Sequence, residues 1–238
     1  MKKVKDYIKS SSLLERKRGI DKTIYKFSHV IRWYEKNRPR TEKSVALLNL
    51  LLSVADYLEV ANDSFEKHIS VLALAARNLY ELMLRISSLT GRHNELENWM
   101  AEAITDSIQA IKCGLEDDGS TEIEAGLLVS AKIELGQEIK RFELLRKKHG
   151  LPEVKNSMPA GNLAGKVGMQ WEHKSLFKLY SKLLHPSSML VNNKDYCTEL
   201  FFPIIKVYLQ IHALQSYKMI CDELELPEKV CQINYQNQ

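Results

Sequence analysis

Hydrophobic positions along this chain recur every three or four residues over long stretches, and nowhere do they alternate with polar ones for the length of a strand. That periodicity marks amphipathic α-helices rather than half-buried strands. The densest stretch is 71–86, where twelve of sixteen residues are apolar and the exceptions are Arg77, Asn78, Glu81 and Arg85. A helix apolar nearly all round belongs inside a bundle. The pattern therefore predicts an all-α fold, a multi-helix bundle of about eight helices around a central apolar helix over 64–90.

The flanking patterns supply the other helices. Val4, Tyr7 and Ile8 open a first one that ends near Arg18-Gly19. Asp21 then caps a second, carrying Ile24, Phe27, Ile31 and Tyr34, which Pro39 stops. Thr41 is an N-cap for a third, to about Ala61. After the central helix, Arg92 or Asn94 starts a fifth with Leu96, Trp99, Ile104 and Ile108 on one stripe. Ser120 or Thr121 with Glu124 has the spacing of a capping box for a sixth, which ends in a basic run before Gly150. Residues 151–168 read as a loop with one short helix, 162–167. A seventh helix, 171–184, is halted at His185 by Pro186. The last runs over 194–224 with a kink or break expected at Pro203, and the tail after Pro227 is polar and expected to be loose.

Composition fits an ordinary soluble protein, at 45% hydrophobic and 27% charged, and 10 Gly with 6 Pro are few for an all-β fold. Charge changes the picture more. The first 43 residues hold fourteen Lys and Arg against five acids, a balance of +9, while the remainder carries −5. This marks a basic helical arm, 1–40, on a helical bundle domain, 41–238. Such an arm either meets a polyanion or docks on its own body or a sister subunit. Arg32, Trp33, Lys36, Arg38 and Arg40 combine cations with an aromatic ring, which suits phosphates and stacked bases, so they are the candidate nucleic-acid-binding residues. The expected partners are RNA or another protein, and the aromatic faces of the second and fifth helices are candidate homodimer contacts. Four cysteines lie far apart without a C-x-x-C, and no apolar leader follows Met1, so reduced thiols and a cytoplasmic location are expected. The apolar run 45–61 is interrupted by Asn49, Ser53, Asp56 and Glu59 and reads as a core helix, so no membrane is expected.

Signatures of familiar chemistry are missing. There is no H-E-x-x-H, no phosphate-binding G-x-x-x-x-G-K-[ST] and no G-x-S-x-G, and no two histidines stand four apart. No metal and no cofactor is expected. One constellation remains. Arg77 and Glu81 are one helical turn apart, as are Ser181 and His185, with Tyr180 beside them. Brought together, the five would form an internal polar network in which Glu81 holds Arg77 or orients the imidazole and His185 transfers a proton. The alternative is a buried network that sets helix register.

The segments Ala76-Arg77-Asn78-Leu79-Tyr80-Glu81 and Tyr180-Ser181-Lys182-Leu183-Leu184-His185-Pro186-Ser187-Ser188 resemble a little-characterised group of bacterial helical proteins. In that group an Arg-x-x-x-Glu helix precedes a Ser-x-x-x-His-Pro-Ser segment. The group is similar in turn to the HEPN superfamily of helical bundles, many of them RNases or nucleotide binders in toxin–antitoxin and phage-defence systems. Catalytic HEPN members carry Arg and then His with four to six residues between, and none of the seven histidines here follows an Arg in that way. Over residues 60–220 the resemblance implies a HEPN-like module that binds RNA or protein without catalysis, in phage defence or a toxin–antitoxin-like pair. Its alternative implication is a metal-independent RNase with a composite site of Arg77, Glu81, Tyr180, Ser181 and His185.

Overall fold

Heptad spacing of fully buried side chains explains most of what folds here. In a computed structural model, which describes residues 13–64, 68–91, 95–115 and 122–232, the described residues form ten helices and no strand. These are α1 (Leu13–Asn37), α2 (Glu42–Asp63), α3 (Ile69–Leu89), α4 (Leu96–Leu115), α5 (Glu122–Lys148), α6 (Ala160–Lys166), α7 (Gln170–Leu184), α8 (Ser188–Asn192), α9 (Lys194–Glu223) and α10 (Glu228–Cys231). The chain is an all-α multi-helix bundle.

The chain divides into two compact units, 1–94 with 160–238, and 95–159. This differs from a boundary at residue 40. The basic helix α1 packs directly on α2 and belongs with the first unit, because Ile20, Phe27 and Val30 are fully or almost fully buried and cannot face water.

In the first unit, α1, α2, α3, α7 and α9 alternate in direction. Asn62 Nδ2 donates to Asp21 Oδ1 at 2.7 Å, joining the end of α2 to the start of α1. Thr41 caps α2 through a reciprocal pair of bonds with Ser44. Along α2, Leu47, Leu51, Val54, Leu58 and Ala61 recur at steps of four and three and are all at most 1% exposed. The same helix is long and apolar enough to cross a membrane by composition alone, yet here it lies against α1, α3 and α9.

Helix α3 packs against α2, α6, α7 and α9. Small residues at Ala73, Ala75 and Ala76, with no exposure, let its neighbours approach closely, while Leu72, Leu79 and Leu84 fill the spaces between. It starts at Ile69 rather than at residue 64, since Ser64 is the C-cap of α2. At its other end Gly91 takes φ 60°, a left-handed turn that favours glycine, and its N–H donates to Glu223 Oε2 at 2.7 Å. Glu223, the last residue of α9, also pairs with Lys43 at the start of α2. One carboxylate thus fastens three helix ends. The pairing of Gly91 with Glu223 also shows that α3 and α9 run parallel.

Three expectations are corrected. Helix α1 runs unbroken through Gly19 and Asp21, because Ile20, Phe27 and Tyr34 form one buried heptad line that overrides the local stop signal. Pro203 does not break the last helix, the second of the two outcomes expected there: it lies inside α9, which continues past it, and the carbonyl it leaves without a donor belongs to the exposed Glu199. Residues 228–232, the described part of the segment after Pro227, are packed rather than loose: α10 packs against α1, Val230 is 4% exposed, and Tyr217 Oη donates to the Cys231 carbonyl at 3.1 Å, while the expectation for 233–238 lies outside the described residues. Expectations for residues 1–12, for the start of α4 at 92–94 and for the capping box at 120–124 fall at least partly outside the described residues.

The second unit is a hairpin of α4 and α5, closed by the strap that follows α5. Thr105 Oγ1 donates to the Val154 carbonyl at 2.7 Å and accepts from Arg146 Nη2 at 3.1 Å. The Met158 N–H reaches Glu102 Oε1 at 3.1 Å. The strap therefore lies back along α4.

Candidate functional site

Two of the expected site residues meet. Arg77 Nε donates to Glu81 Oε1 at 3.0 Å across one turn of α3, with the two side chains 28% and 36% exposed. The guanidinium is fixed from the other side by the Phe177 ring on α7, its central carbon 4.3 Å from the ring centroid. Tyr180, three residues after Phe177 on α7, is fully buried, and its hydroxyl has no hydrogen-bond partner among the described residues.

His185 is elsewhere. Helix α7 runs antiparallel to α3, so Phe177 lies over Arg77 while residue 173 lies beside Tyr80. His185 comes eight residues after Phe177, about 12 Å further along the helix at 1.5 Å per residue, towards the Ile69 end of α3. It is exposed and has left the helix, with ψ 150°. Its N–H bonds the Ser181 carbonyl at 3.2 Å, and no hydrogen bond or ion pair joins it to Arg77 or Glu81 among the described residues. The Ser-x-x-x-His-Pro-Ser stretch is a helix stop and restart. Ser187 Oγ donates back to the Lys182 carbonyl at 2.9 Å and accepts from the Leu190 N–H at 3.3 Å, which caps α8.

The histidine that does reach the Arg77–Glu81 pair is His173, which sequence reasoning missed. Its ring meets Phe177 at a tilt, with centroids 4.7 Å apart, and stacks on Tyr80 at 5.8 Å. Tyr80 in turn meets His212 of α9 at 5.1 Å, and His212 stacks on Tyr208 at 5.8 Å. A ladder of planar groups therefore crosses α7, α3 and α9, from the half-exposed Arg77 to the fully buried His212. Its sequence signal is faint but real: His173, Phe177 and Tyr180 stand at steps of four and three on one face of α7, whereas His185 lies past the break that Pro186 imposes.

Burial governs the ionisation of this ladder. It lowers the pKa of His173, against which Glu81 raises it and Arg77 lowers it. Burial alone brings His212 down to about 4. The Tyr80 and Tyr180 phenols are pushed up by burial first and by the charge of Glu172 as a lesser cause, and Glu172 is itself raised by burial. At neutral pH the imidazoles are neutral, and Arg77 is balanced by Glu81. Without net positive charge the cluster has little pull on a phosphodiester, and ring stacking without hydrogen bonds between members carries no proton along it.

The nucleic-acid candidates lie in the open. Arg32, Lys36, Arg38 and Arg40 are exposed and Trp33 is half-exposed. Arg40 pairs with Glu35 at 3.0 Å in a solvated contact worth about 0–1 kcal/mol, weak enough for a phosphate to displace. Continuity of α1 adds residues to this face. Arg18, Lys22, Tyr25, His29, Arg32 and Lys36 recur at steps of four and three, a stripe about 27 Å long by helical rise. On the α2 side it borders a groove of ≈ 550 Å³ that Asp21, Glu59 and Asp63 make acidic. Among the described residues no group of three His, Cys, Asp or Glu side chains could hold a metal ion. No family model, curated protein or solved structure matches this chain.

Proposed function

We propose that the protein is a non-catalytic, HEPN-like helical module that holds single-stranded RNA along the outer face of α1, in a setting such as phage defence or a toxin–antitoxin-like pair. The observation that supports this reading is the stripe from Arg18 to Lys36, in which Arg18, Lys22, Arg32 and Lys36 flank Tyr25 and His29, with Trp33 beside it and Arg38 and Arg40 beyond its end. Cations spaced along one face follow a phosphate backbone, and an indole and a phenol between them offer surfaces on which bases stack. Arg32 and Tyr25 stand at the edge of the groove towards α2, whose Asp21, Glu59 and Asp63 carboxylates disfavour a phosphate there, so the strand follows the Lys22–Trp33–Lys36 side.

Fluorescence anisotropy of labelled single-stranded RNA over a range of salt tests the reading. Affinity should fall steeply with salt, and replacing Arg32, Lys36, Arg38 and Arg40 by Gln should reduce the log–log slope by about 0.7 for each phosphate that is no longer neutralised. Trp33→Ala should weaken binding by about 1–3 kcal/mol at an unchanged slope. Binding that ignores both salt and the four substitutions would refute the proposal.

A second reading, a metal-independent RNase, is favoured by one observation: His173 lies beside the Arg77–Glu81 pair although His185 does not. RNA cleavage in EDTA by wild type, His173→Ala and His185→Ala decides it. Cleavage lost only in His173→Ala supports this reading, and equal behaviour of all three removes it.

A further inference from the structure

The four cysteines are free thiols, but two of them are not isolated. Cys221 lies in the last turn of α9 and is 6% exposed, while Cys231 ends α10 and is half-exposed. Between them the chain reverses in a tight turn: the Leu226 N–H bonds the Cys221 carbonyl at 3.0 Å, and Glu225 takes φ 47°. Tyr217, one turn before Cys221 on the same face, donates its hydroxyl to the Cys231 carbonyl at 3.1 Å and so holds the Cys231 backbone over that face. The two thiols and the Tyr217 hydroxyl are close enough to act on one another electrostatically, Cys231 raising the pKa of Cys221 and both cysteines raising that of Tyr217. Both line a cavity of ≈ 420 Å³, large enough for a small oxidant. By contrast, the buried Cys197 thiol is directed at the Met189 carbonyl, 3.7 Å away.

We propose that Cys221 and Cys231 form a redox-modified pair, which a peroxide converts to an intramolecular disulfide that fastens α10 to the end of α9. A disulfide needs two side chains that already face each other at short range, which the turn and the Tyr217 tether provide. The half-exposed Cys231 reacts first. Its thiolate attacks one peroxide oxygen, the O–O bond breaks, and the departing hydroxide takes up the proton the thiol has lost, leaving a sulfenic acid and water. The Cys221 sulfur then attacks the Cys231 sulfur, the S–O bond breaks, and the Cys221 proton leaves with the hydroxyl as a second water. Two thiols are oxidised by two electrons and one peroxide is reduced to two waters. Burial, and next the neighbouring Cys231, hold the Cys221 thiol well above its usual range, so the half-exposed Cys231 rather than Cys221 is the thiol that meets the peroxide. Because α10 packs on α1 and Tyr217 stacks on Phe27 at 5.0 Å, the bond would also secure the C-terminal turn against α1.

The test uses the full reduced chain, treated with hydrogen peroxide, alkylated after denaturation and read by intact mass and peptide mapping. The expected product has lost two hydrogens, contains one cross-linked peptide pair joining Cys221 to Cys231, and forms equally in Cys113→Ser. Cys231→Ser, at a half-exposed position, should retain the wild-type circular dichroism and lose the cross-link. A disulfide mapped to other cysteines, a two-hydrogen loss that persists in Cys231→Ser, or free Cys221 and Cys231 after peroxide has oxidised Cys113 would each overturn the proposal.

Discussion

His212 is fully buried on α9 between Tyr80 and Tyr208, and neither ring nitrogen has a hydrogen-bond partner among the described residues. Burial lowers its pKa from 6.5 to about 4. The unfolded chain therefore binds a proton that the folded chain refuses, and stability should fall as pH drops from 6.5 towards 4, by about 3 kcal/mol if this residue acts alone. Chemical denaturation at a series of pH values measures the loss, and His212→Leu should flatten it in that window. At the half-exposed end of the same ladder, the neighbours of His173 pull in opposite directions. Glu81→Gln should lower its pKa further and Arg77→Gln should raise it, both readable by NMR titration of the imidazole. These residues show what the sequence left hidden. The turn-spaced pair Arg77 and Glu81 was legible because helix geometry alone brings them together. The choice of His173 over His185 depends on how far α7 slides along α3, and that register is set by packing at Phe177 and Tyr180, which no local pattern encodes.

At the level of single helices, α1 is the informative case. The local sequence Arg18-Gly19-Ile20-Asp21 has the marks of one helix ending and another beginning, and only the longer heptad of Ile20, Phe27 and Tyr34 carries the helix through. Packing outweighs propensity there. A β-carbon at Gly19 would meet nothing within 4 Å, so Gly19→Ala should stabilise the protein by about 0.5–1 kcal/mol. Urea denaturation checks this, and destabilisation would mean that the helix breaks at Gly19. Gly91 is the opposite case: space is open around it too, but φ is 60°, so Gly91→Ala should cost about 1–2 kcal/mol. Bounds marked by strong punctuation, Thr41 before α2, Pro186 after α7 and Gly150 after α5, were legible from residue chemistry alone. Helix α8 was not, because its five residues are too few for periodicity, and its cap is part of the motif that drew attention as chemistry.

For the whole molecule, Glu223 matters out of proportion to its position. Burial raises its pKa, but the Gly91 N–H and Lys43 outweigh that and leave it below the usual 4.5. A depressed carboxyl pKa contributes stability above 4.5 that disappears as pH falls through the lower folded value. Glu223→Gln should therefore cost about 1 kcal/mol at neutral pH, with the difference from wild type shrinking as pH falls below 4.5. The all-α class and most helices could be read from periodicity, whereas the division into 95–159 and the remainder could not, since the same helical periodicity runs through both units.

That division bears on how the bundle assembles. Helices α3 and α7 are antiparallel neighbours that a short loop would join, yet eighty residues, 90–169, separate them in the chain. Closing so long an unstructured loop would cost about 2 kcal/mol more in chain entropy than closing a tight one. The second unit removes most of that cost if it folds first. Met158 rests on Glu102, so the unit returns its exit close to its entrance and presents the rest of the chain with the ends of a short loop. Contacts a hundred residues apart, such as Arg77 on Phe177, then become kinetically local, and the rate at which α7 docks should follow the stability of the inserted hairpin.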